Sequence, residues 1–501
     1  MMAQRIQQQS TMALSELLEG LAPAGDSGAL QVSAVAADSR EVRPGSLFLA
    51  LAGQRSHGLQ WLDQVLDNGA VAVLYEPAPG LDVPDAPIPL IAAPGLSARA
   101  GVIASRCLGE PSRALAVIGI TGTNGKTSCS WMLAAALDHE QARCGLIGTL
   151  GSGLYGELDP ATHTTPAATQ VQALLGRFRD AGARHAVMEV SSHALDQYRV
   201  AGVHFTRAVF TNLSRDHLDY HGDMAAYFAA KRRLFEYAEL GGGVLNAADP
   251  RSPQLRAVMP EGSECIWYGQ GAREQAGSEP WLEATEVRPR RDGLELSFAG
   301  AAQFSLSLPL LGRFNADNLL AVAATLYSLG YRDEALADAL KRVGPVPGRM
   351  QCLGGDGQPL VIVDYAHTPA ALARALEAAR EHCSGELWCV FGCGGERDTG
   401  KRALMGEIAR DGADRVIVTD DNPRGESPEA IVSEIIQGAG AQAKVIHDRA
   451  RAITTAVAQA GANDVVLVAG KGHESWQERA GQRLAFSDVA QVRLALREVG
   501  P

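Results

Sequence analysis

The amino-acid sequence predicts an α/β protein built on parallel sheets. Short apolar runs alternate with stretches of helical periodicity over most of the 501 residues, and this alternation is typical of parallel sheets covered by helices on both faces. One apolar run leads directly into a glycine-rich loop and a helix-competent stretch, which is the order of a phosphate-binding site. A chain of this length corresponds to roughly two to four domains.

The predicted N-terminal domain covers residues 1–98 and is a smaller α/β domain. It ends in a proline-punctuated stretch between Pro77 and Pro94. Apolar runs predict strands at Ser46–Leu51 and Ala70–Tyr75, with a helix between them.

The predicted central domain covers residues 99–345 and is a P-loop-type parallel-sheet ATPase domain. A strand at Leu115–Ile120 precedes the glycine-rich loop, and a helix at Thr127–Leu137 follows it. Further strands are predicted at Cys144–Ile147, His185–Val190 and Ala208–Leu213, and a hairpin at Leu294–Phe298 and Phe304–Leu308.

The predicted C-terminal domain covers residues 346–501 and begins between the breaks at Pro345 and Pro347. It repeats the alternation of strand and helix, which predicts a doubly wound α/β domain. Its strands are predicted at Leu360–Val363, Leu387–Phe391, Arg415–Thr419 and Val465–Val468.

Composition narrows the class of protein. Hydrophobic residues make up 46% and charged residues 20% of the chain, which are ordinary values for globular domains. A net charge of −12 disfavours nucleic acid or an anionic membrane as partner, because both require clustered Lys and Arg. It leaves an anionic small substrate open. No apolar run reaches the ~18–20 residues of a membrane span, and the polar N-terminus has no signal-peptide pattern.

The eight cysteines predict reduced thiols in a cytoplasmic protein. Most of them stand in apolar segments, and the close pair Cys389 and Cys393 lacks zinc-type spacing. A metal or disulfide role for that pair is the less favoured alternative.

The strongest local signal is the glycine-rich loop. Glycines allow several backbone N–H groups to point at one phosphate, and the following helix contributes the positive end of its dipole. A lysine supplies a mobile cation and a threonine supplies a hydroxyl for magnesium. The strict pattern has a further glycine where Ile120 stands, so the match is to a variant, and a plain turn with an exposed lysine is the alternative. The predicted nucleotide-binding residues are Gly122, Thr123, Asn124, Gly125, Lys126 and Thr127.

Four ordered motifs resemble those of the Mur ligases, over nearly the whole chain. They are Gly122-Thr-Asn-Gly-Lys-Thr127, Glu189-Val-Ser-Ser-His193, Asn212-Leu-Ser-Arg-Asp-His217 and Asp364-Tyr-Ala-His-Thr-Pro369. The resemblance implies an ATP-dependent, amide-forming ligase of peptidoglycan precursor synthesis. Within the family it is strongest to the branch that adds a third residue to UDP-MurNAc-L-Ala-D-Glu.

The resemblance also implies a mechanism and its residues. ATP phosphorylates a carboxylate, and the incoming amine displaces phosphate from the acyl phosphate. Lys126 would act on the phosphates, and Thr127, Glu189 and His217 would hold magnesium. By itself His217 could equally be a capping or core histidine. Lys231 would be carbamylated by carbon dioxide and help to orient the metal, whereas its spacing alone indicates a solvated helix lysine.

Further residues are implied at the nucleotide. Asn315 and Asn318 would recognise adenine, and Arg349 and Asp364 would face the nucleotide near the domain junction. Asn315 could also be a helix N-cap.

The nucleotide-sugar substrate is implied to contact two groups of residues. Ser39, Gln54, Arg55 and Ser56 would bind the uridine diphosphate end, and His163, Thr164, Thr165, Ser191, Gln197 and Arg199 would bind the sugar and the peptide. Arg199 is a natural bidentate partner for a carboxylate. An acidic residue is common in the family where His57 stands, which leaves the uridine pocket undetermined. The loop Gln54–Ser56 could also be an ordinary surface loop.

The incoming amino acid is expected at the third domain. The residues concerned are Arg397, Asp421, Asn422, Pro423, Arg424, Gly470 and Glu474. They follow predicted strands, and the carboxyl ends of parallel strands share one edge of a sheet. Arg424 would pair with the second carboxylate of meso-diaminopimelate, which L-lysine lacks, and Glu474 would hold the distal ammonium. The alternative for Asp421–Arg424 is a proline-set turn.

Several alternatives remain at this point. Within the same chemistry, the chain could add L-lysine, or glutamate to folate. Outside it, the chain could be a nucleotide-regulated ATPase that makes no product, or an α/β protein of unrelated chemistry. The resemblance implies a cytoplasmic monomer that uses ATP, Mg²⁺ and carbon dioxide as a lysine carbamate. It implies only small-molecule substrates, with no nucleic acid and no membrane.

Overall fold

The computed structural model describes residues 11–53 and 56–499. These residues form two compact units that divide between Ile266 and Trp267. Gln54 and Arg55, predicted to contact the substrate, lie outside the described residues. The boundaries at 98/99 and 345/346 stay predictions, and the first of them falls inside a helix, Leu96–Cys107.

The first unit begins with a four-stranded parallel sheet in the order β3-β4-β5-β6. Alternate residues of β4 enter different cores, with Leu47 and Leu49 on one face and Phe48 and Ala50 on the other. The strand is therefore apolar throughout, as expected for a parallel strand covered on both faces. The elements are β1 Met12–Ala13, α1 Leu14–Leu17, β2 Gln31–Val32, β3 Ala34–Ala36, β4 Ser46–Ala50, α2 Leu62–Asp67, β5 Ala70–Tyr75, β6 Leu90–Ala92 and α3 Leu96–Cys107.

A larger sheet follows, in the order β10-β9-β8-β11-β7-β12-β13-β14. Strands β8, β11, β7, β12 and β13 are parallel, and β9 and β10 form an antiparallel edge hairpin. The strands are β7 Ala116–Thr121, β8 Cys144–Gly148, β9 Gly151–Leu154, β10 Glu157–Asp159, β11 His185–Glu189, β12 Arg207–Phe210, β13 Gly242–Asn246 and β14 Glu264–Tyr268. The helices are α4 Lys126–Leu137, α5 Ala168–Asp180, α6 Ser192–Asp196, α7 Leu218–His221, α8 Met224–Arg232 and α9 Ser252–Arg256.

The strand order brings the loops of β7, β11 and β12 to one edge of this sheet. Glu189 pairs with Ile120, and Phe210 pairs with Thr121, so the three strands end at the same level. From β7 the chain moves first to β8 on one side of β7 and only later to β12 on the other. Open α/β sheets bind ligands at such a reversal of strand order.

The second unit contains an antiparallel ladder, β15-β16-β17, and a six-stranded sheet in the order β18-β19-β23-β20-β21-β22. In the six-stranded sheet, β18 is the only antiparallel strand among the described residues. The first elements are α10 Ala272–Ala276, β15 Trp281–Arg290, β16 Gly293–Gly300, β17 Phe304–Leu308, α11 Phe314–Ser328 and α12 Asp333–Lys341.

The six-stranded sheet is covered by helices on both faces. One core contains Ile362, Cys389 and Leu467, and the core on the opposite face contains the alternate strand residues Val361, Val390 and Val466. The elements are β18 Gln351–Gly354, β19 Leu360–Asp364, α13 Pro369–Glu381, β20 Leu387–Phe391, α14 Lys401–Gly412, β21 Arg415–Val418, α15 Pro428–Ala439, β22 Lys444–Val445, α16 Arg449–Gln459, β23 Val465–Ala469, β24 Trp476–Arg479, β25 Gln482–Ala485 and α17 Asp488–Val499.

A buried ion pair fixes the end of β23 in this unit. Arg449 on α16 donates two hydrogen bonds to Asp488 on α17, at 2.7 and 2.8 Å, and a third to the Ala469 carbonyl at 2.9 Å. Both charged side chains are completely enclosed. Removing one partner of such a pair typically costs about 3–5 kcal/mol, because the other charge stays buried alone.

The predicted fold class is confirmed, and each strand predicted from an apolar run is present within a few residues. The sequence reasoning missed the β9–β10 and β24–β25 hairpins and the strands β1, β2, β3, β6, β13, β14, β15, β18 and β22. Most of these are short, edge or hairpin strands without a long apolar run, whereas β13 and β14 are largely buried and were overlooked. None of the described helices combines the length and apolar character that crossing a bilayer requires. All eight cysteines are free thiols.

A pair of glycine substitutions tests the packing of α5 on the central sheet. A Cβ at Gly145 in β8 would collide with the Phe178 ring, whereas a Cβ at Gly176 in α5 would meet only a Leu108 methyl at 4.0 Å. Gly145→Ala should lower the free energy of unfolding by about 1–3 kcal/mol through overpacking. Gly176→Ala should raise it by about 0.5–1 kcal/mol, because alanine favours the helix. Urea midpoints measure both, and the same sign for the two variants would contradict this packing.

Candidate functional site

The loop after β7 depends on two glycines. Gly122 has a φ of 150° and Gly125 a φ of 85°, and L side chains rarely adopt either conformation. A Cβ at Gly122 would fall on the Thr211 hydroxyl. The loop can therefore take this path only with glycine at that position, and α4 begins directly after Gly125.

Asn212, which follows β12, holds the centre of the loop. Its carbonyl oxygen accepts a hydrogen bond from the Thr123 amide at 2.8 Å. Its side-chain Oδ1 accepts a second one from the Asn124 amide at 3.0 Å. The Thr123 hydroxyl lies 3.2 Å from the buried Tyr227 hydroxyl. The motif residues 122–127 are thus fixed from β12 and α8.

Glu189 is enclosed where three strands of this sheet end. The side chain is 1% exposed, and its Oε2 accepts hydrogen bonds from Thr127 Oγ1 at 2.8 Å and Thr149 Oγ1 at 3.2 Å. Its Oε1 accepts a third from the Thr149 amide at 2.7 Å. Two hydroxyls and a carboxylate side by side are hard oxygen ligands of the kind that Mg²⁺ prefers.

Two lysines converge on one backbone oxygen of the loop. Lys126 Nζ donates to the Gly122 carbonyl at 2.9 Å, and Lys231 Nζ donates to the same carbonyl at 2.8 Å. Lys231 is only 1% exposed and lies 4.4 Å from the centroid of the Tyr227 ring. Burial, and then the charge of Lys126, hold the pKa of the Lys231 amine well below its ordinary value, although Asp216 opposes this shift. The alternative prediction that Lys231 is a solvated helix lysine is therefore wrong.

His217 stands in a cluster of aromatic side chains beside the loop. Its backbone is left-handed, with φ of 52°, and its side chain is 47% exposed. It precedes α7 without making a side-chain cap, so neither the capping nor the core alternative holds. The His193 ring lies 4.9 Å from His217 and 5.4 Å from His221. Burial and these two imidazoles lower the pKa of His193.

Arg199 anchors the residues predicted for the sugar and peptide. Its guanidinium donates to Gln197 Oε1 at 2.7 and 3.0 Å and to the Thr165 carbonyl at 2.9 Å. Among the described residues no carboxylate pairs with Arg199, and burial lowers its pKa. Thr165 is buried and donates to the Glu189 carbonyl at 2.8 Å. Thr165 therefore joins this group directly to the backbone of Glu189.

The remaining residues of this group lie around Thr165. Thr164 Oγ1 is 3.0 Å from Thr149 Oγ1, and the Ser191 amide donates to the Thr165 hydroxyl at 3.2 Å. The Ser191 side chain caps α6. His163 is exposed and its Nδ1 lies 3.2 Å from the Thr162 hydroxyl.

The predicted uridine contacts that the structure describes lie in the segments after β3 and β4. The nearly buried Ser39 donates to Gln64 Oε1 at 2.8 Å, and Ser56 is exposed. His57 accepts from the Leu59 amide at 3.1 Å and lies 2.8 Å from the Glu76 carbonyl. His57 thus caps the turn Gly58–Trp61 that follows it. This capping gives His57 a structural role at a position where the family commonly has an acidic residue.

In the second unit, the predicted adenine residues form a pair inside α11. Asn315 donates to the Leu311 carbonyl at 2.7 Å and accepts from Asn318 Nδ2 at 2.9 Å. The helix begins at Phe314 after Arg313, so the N-cap alternative for Asn315 is wrong.

Arg349 and Asp364 lie together at the end of β19. The Met350 amide donates to Asp364 Oδ2 at 2.8 Å. Burial raises the pKa of Asp364, while the charge of Arg349 opposes that rise. The Arg349 guanidinium lies 4.7 Å from the centroid of the Tyr365 ring, and its Nε is buried with no partner among the described residues.

The residues predicted for the incoming amino acid gather at the carboxyl edge of the six-stranded sheet. Arg424 has a φ of 54° and donates from Nη1 to the Gly395 carbonyl at 2.6 Å. Its Nε lies 3.7 Å from Glu478. The hydrogen bond from Arg424 to Gly395 links the loop after β21 to the loop after β20. The loop after β20 also carries the exposed Arg397.

The loops after β21 and β23 meet at Asn422. Its side-chain Nδ2 donates to Glu474 Oε2 at 2.9 Å, and its Oδ1 accepts from the Nζ of the enclosed Lys471 at 3.0 Å. Asp421 and Pro423 are buried on either side of it. Gly470 has a φ of 119° and brings the backbone against Asp421. The proline-set turn is present, but its side chains are not solvated. They are largely buried, and Asn422 belongs to a polar network.

The structure gathers most of the predicted residues into two groups, one in each unit, whereas Ser39, Ser56, Asn315 and Asn318 belong to neither group. The first contains the loop 122–127, Glu189 and Lys231, with the residues around Thr165 beside it. The second contains the loops after β20, β21 and β23. Sequence reasoning missed Thr149, Tyr227 and Lys471. Thr149 follows a predicted strand end, and Lys471 stands between the predicted residues Gly470 and Glu474, so both carried a signal.

The first group has the parts needed to transfer a phosphoryl group. A glycine loop and a helix N-terminus receive phosphates, the two lysines can neutralise charge, and Glu189 with Thr127 offers metal ligands. Such catalysis consists mainly of positioning and electrostatic stabilisation.

Three family descriptions match separate parts of the chain. The Mur ligase middle domain matches residues 120–326, the Mur ligase glutamate ligase domain matches residues 348–472, and the Mur ligase family catalytic domain matches residues 31–104.

Individual proteins resemble the chain over nearly its full length. The UDP-N-acetylmuramoyl-L-alanyl-D-glutamate–2,6-diaminopimelate ligase of Xanthomonas campestris pv. campestris is 51% identical and covers 97% of both chains. The ligase of the same name from Alkalilimnicola ehrlichii is 50% identical over 97% of this chain and 99% of its own. A solved structure with that name is 36% identical, with a TM-score of 0.73 over 98% of this chain and 99% of that one.

The lowered pKa of Lys231 predicts a stability effect. An amine whose pKa falls on folding destabilises the folded state below its unfolded pKa, and this penalty fades as the pH rises toward ~10.5. Lys231→Met, which keeps the apolar stem, should therefore melt at a higher temperature than the wild type near pH 7. The difference should shrink toward pH 10. Thermal unfolding in buffer depleted of carbon dioxide measures it.

The exposed Lys444 in β22 provides the matched control. Lys444→Met should change the melting temperature little at either pH. A Lys231→Met protein that melts below the wild type near pH 7 would show that the hydrogen bond to Gly122 outweighs the cost of burial.

Proposed function

Because this chain belongs to the Mur ligase family, we propose that it joins meso-diaminopimelate to UDP-MurNAc-L-Ala-D-Glu in peptidoglycan precursor synthesis. The reaction consumes ATP, as in the ligases of this family. The γ-phosphoryl group passes to the substrate carboxylate, giving ADP and an acyl phosphate. The amine of the incoming amino acid attacks the acyl carbon and loses a proton, and phosphate leaves as the amide bond forms.

The loop 122–127 receives the phosphates of ATP. Its backbone N–H groups and the start of α4 attract anions. Lys126 reaches from α4 back across the loop to the Gly122 and Thr123 carbonyls, so a modest rotation brings its ammonium to a phosphate oxygen. This supports phosphoryl transfer at the loop rather than simple nucleotide storage.

The residues at the loop fit a Mg²⁺ ion that takes most of its ligands from phosphates and water. Thr127 Oγ1 and Glu189 Oε2 are 2.8 Å apart, and His217 stands beside the loop with an accessible ring. The described residues contain no cluster of three or more His, Cys, Asp or Glu side chains for a dedicated metal cage. Mg²⁺ typically uses one or two carboxylates and substrate phosphates instead. When bound, it would neutralise charge that develops during transfer.

Lys231 fits the carbamate that the family resemblance implies. Carbon dioxide reacts only with a neutral amine. The amine nitrogen bonds to the carbon, and loss of one proton leaves a carbamate anion. The lowered pKa of Lys231 favours the neutral amine, and conversion to an anion would remove the repulsion from Lys126. The carbamate would then provide another oxygen ligand beside Glu189.

Arg199 supports recognition of the acidic substrate. Its guanidinium is fixed by Gln197 and Thr165 and has no carboxylate partner among the described residues, which leaves its charge for a substrate carboxylate. Ser39, Ser56 and the unplaced Gln54 and Arg55 remain our candidates for the uridine diphosphate end.

The amino-acid site supports a substrate with a carboxylate and an ammonium at its far end. Among the described residues, Arg424 donates one side-chain hydrogen bond, to Gly395, and its Nε lies 3.7 Å from Glu478. Its second terminal nitrogen remains for a substrate carboxylate. Glu474 is a candidate for the ammonium. L-Lysine would leave Arg424 without its carboxylate, and such a mismatch typically costs a few kcal/mol.

We further propose that the chain works as a monomer in the cytoplasm, with domains at residues 1–98, 99–345 and 346–501. Eight free thiols support a reducing compartment. ATP and a nucleotide-linked sugar are substrates of that compartment.

The observation that carries the proposed function is the enclosed Glu189 carboxylate on Thr127, directly beside the phosphate loop. The test is phosphate release from ATP with Mg²⁺ and UDP-MurNAc-L-Ala-D-Glu, with either meso-diaminopimelate or L-lysine added. Release that requires the nucleotide-sugar peptide and diaminopimelate is expected. Release with lysine alone would retain the ligase and discard the proposed acceptor. Release without either acceptor would favour a regulatory ATPase.

Arg424→Ala tests the proposed selectivity. It should raise KM for diaminopimelate by about 10²-fold, while any use of L-lysine does not fall. Steady-state phosphate release measures both. Arg374→Ala, at an exposed position of α13, should leave both values unchanged. Equal losses for the two amino acids would mean that Arg424 supports the fold of the loop instead of reading the second carboxylate.

A further inference from the structure

Lys471 is a completely enclosed lysine in the loop after β23. Its side chain is 0% exposed. Its Nζ donates to Glu474 Oε2 at 2.9 Å and to Asn422 Oδ1 at 3.0 Å, and it lies 3.9 Å from Asp421 Oδ1. The ammonium thus contacts two carboxylates and one amide oxygen from two different loops.

Asn422 extends this contact into a closed network. Its Nδ2 donates to the same Glu474 oxygen that Lys471 contacts, at 2.9 Å. Its Oδ1 accepts from both Lys471 and the Glu478 amide, the latter at 2.9 Å. Each polar atom of the Asn422 side chain is therefore used, and its orientation is fixed. Glu474 Oε2 is held on two sides, and its position depends directly on Lys471.

With all groups ionised, the network would carry two carboxylates, Asp421 and Glu474, against the one ammonium of Lys471. Burial raises the pKa of Asp421, and the charges of Arg449 and Lys471 oppose that rise. Arg449 nearby already forms its own enclosed pair with Asp488. A ligand that brings one ammonium to this network would make it neutral, which is the condition under which buried charges are tolerated.

We propose that Lys471 is a positioning residue of the amino-acid site, which fixes Glu474 and Asn422 so that the network accepts an ammonium group of the substrate. This role rests on the proposed function of the site. Lys471 does not touch the reacting atoms. It acts through Glu474, whose carboxylate it holds toward the loop that carries Asn422 and Arg424.

Loss of the Lys471 charge would disable Glu474 in one of two ways. Two neighbouring buried carboxylates without a cation are costly. Either one of them takes up a proton or Glu474 turns toward solvent. A protonated or displaced Glu474 is a poorer partner for the substrate ammonium, so binding of the amino acid weakens in both cases.

The test is the kinetics of Lys471→Met, a substitution that keeps the apolar stem and removes the charge. KM for diaminopimelate should rise by about tenfold or more, while KM for ATP and for the nucleotide-sugar peptide stays unchanged.

Lys444→Met is the matched control and should leave all three KM values unchanged. If Lys471→Met does not fold, as judged by thermal unfolding, Lys471→Gln serves with the same expected result because it also removes the charge. An unchanged or lower KM for the amino acid, or an equal rise in all three KM values, would overturn the proposal. Activity of the wild type with diaminopimelate is measured beside them. If the wild type does not use diaminopimelate, the proposed function fails. If the wild type is active and the Lys471 variants have the same KM values as the wild type, only the positioning role fails.

Discussion

The carboxylate of Glu189 is the point on which the nucleotide site depends. Thr127 reaches it from the helix after β7, and Thr149 reaches it from the end of β8. Three loops of a parallel sheet are thereby joined through one enclosed side chain. The cost of burying that charge is offset by two hydroxyl groups and an amide, all of which donate to it. The same oxygens are the ligands that a magnesium ion would use.

The phosphate loop is built so that two lysine nitrogens meet where phosphates arrive. Lys126 and Lys231 share the Gly122 carbonyl, although like charges at this distance repel. Burial removes water that would otherwise screen them, so the pKa of Lys231 falls. Anionic phosphates would relieve this repulsion. The loop is therefore arranged for a ligand rather than for its own stability, which is common where function and packing conflict.

The fold followed from local patterns, whereas the partners of buried charges did not. The apolar runs located β7, β11, β20 and β23 because strands covered on both faces are apolar throughout. The position of Glu189 at a strand end was readable for the same reason. Thr149 and Lys471 acquire their roles from chain segments far away in sequence, which periodicity does not detect. Lys231 could have been identified as buried, because the aromatic Tyr227 lies one turn before it on the same helix face.

Two enclosed lysines in this chain show how the surroundings decide the chemistry of one side chain. Lys231 donates to a backbone carbonyl, faces a second lysine and contacts no carboxylate among the described residues. Its amine is driven toward the neutral, nucleophilic form. Lys471 is equally enclosed but lies between two carboxylates. Its charge balances theirs, so it can only organise the residues around it. Burial alone therefore does not predict reactivity. The sign and number of the neighbouring charges do, and they make one lysine suited to covalent modification and the other to holding a binding site in place.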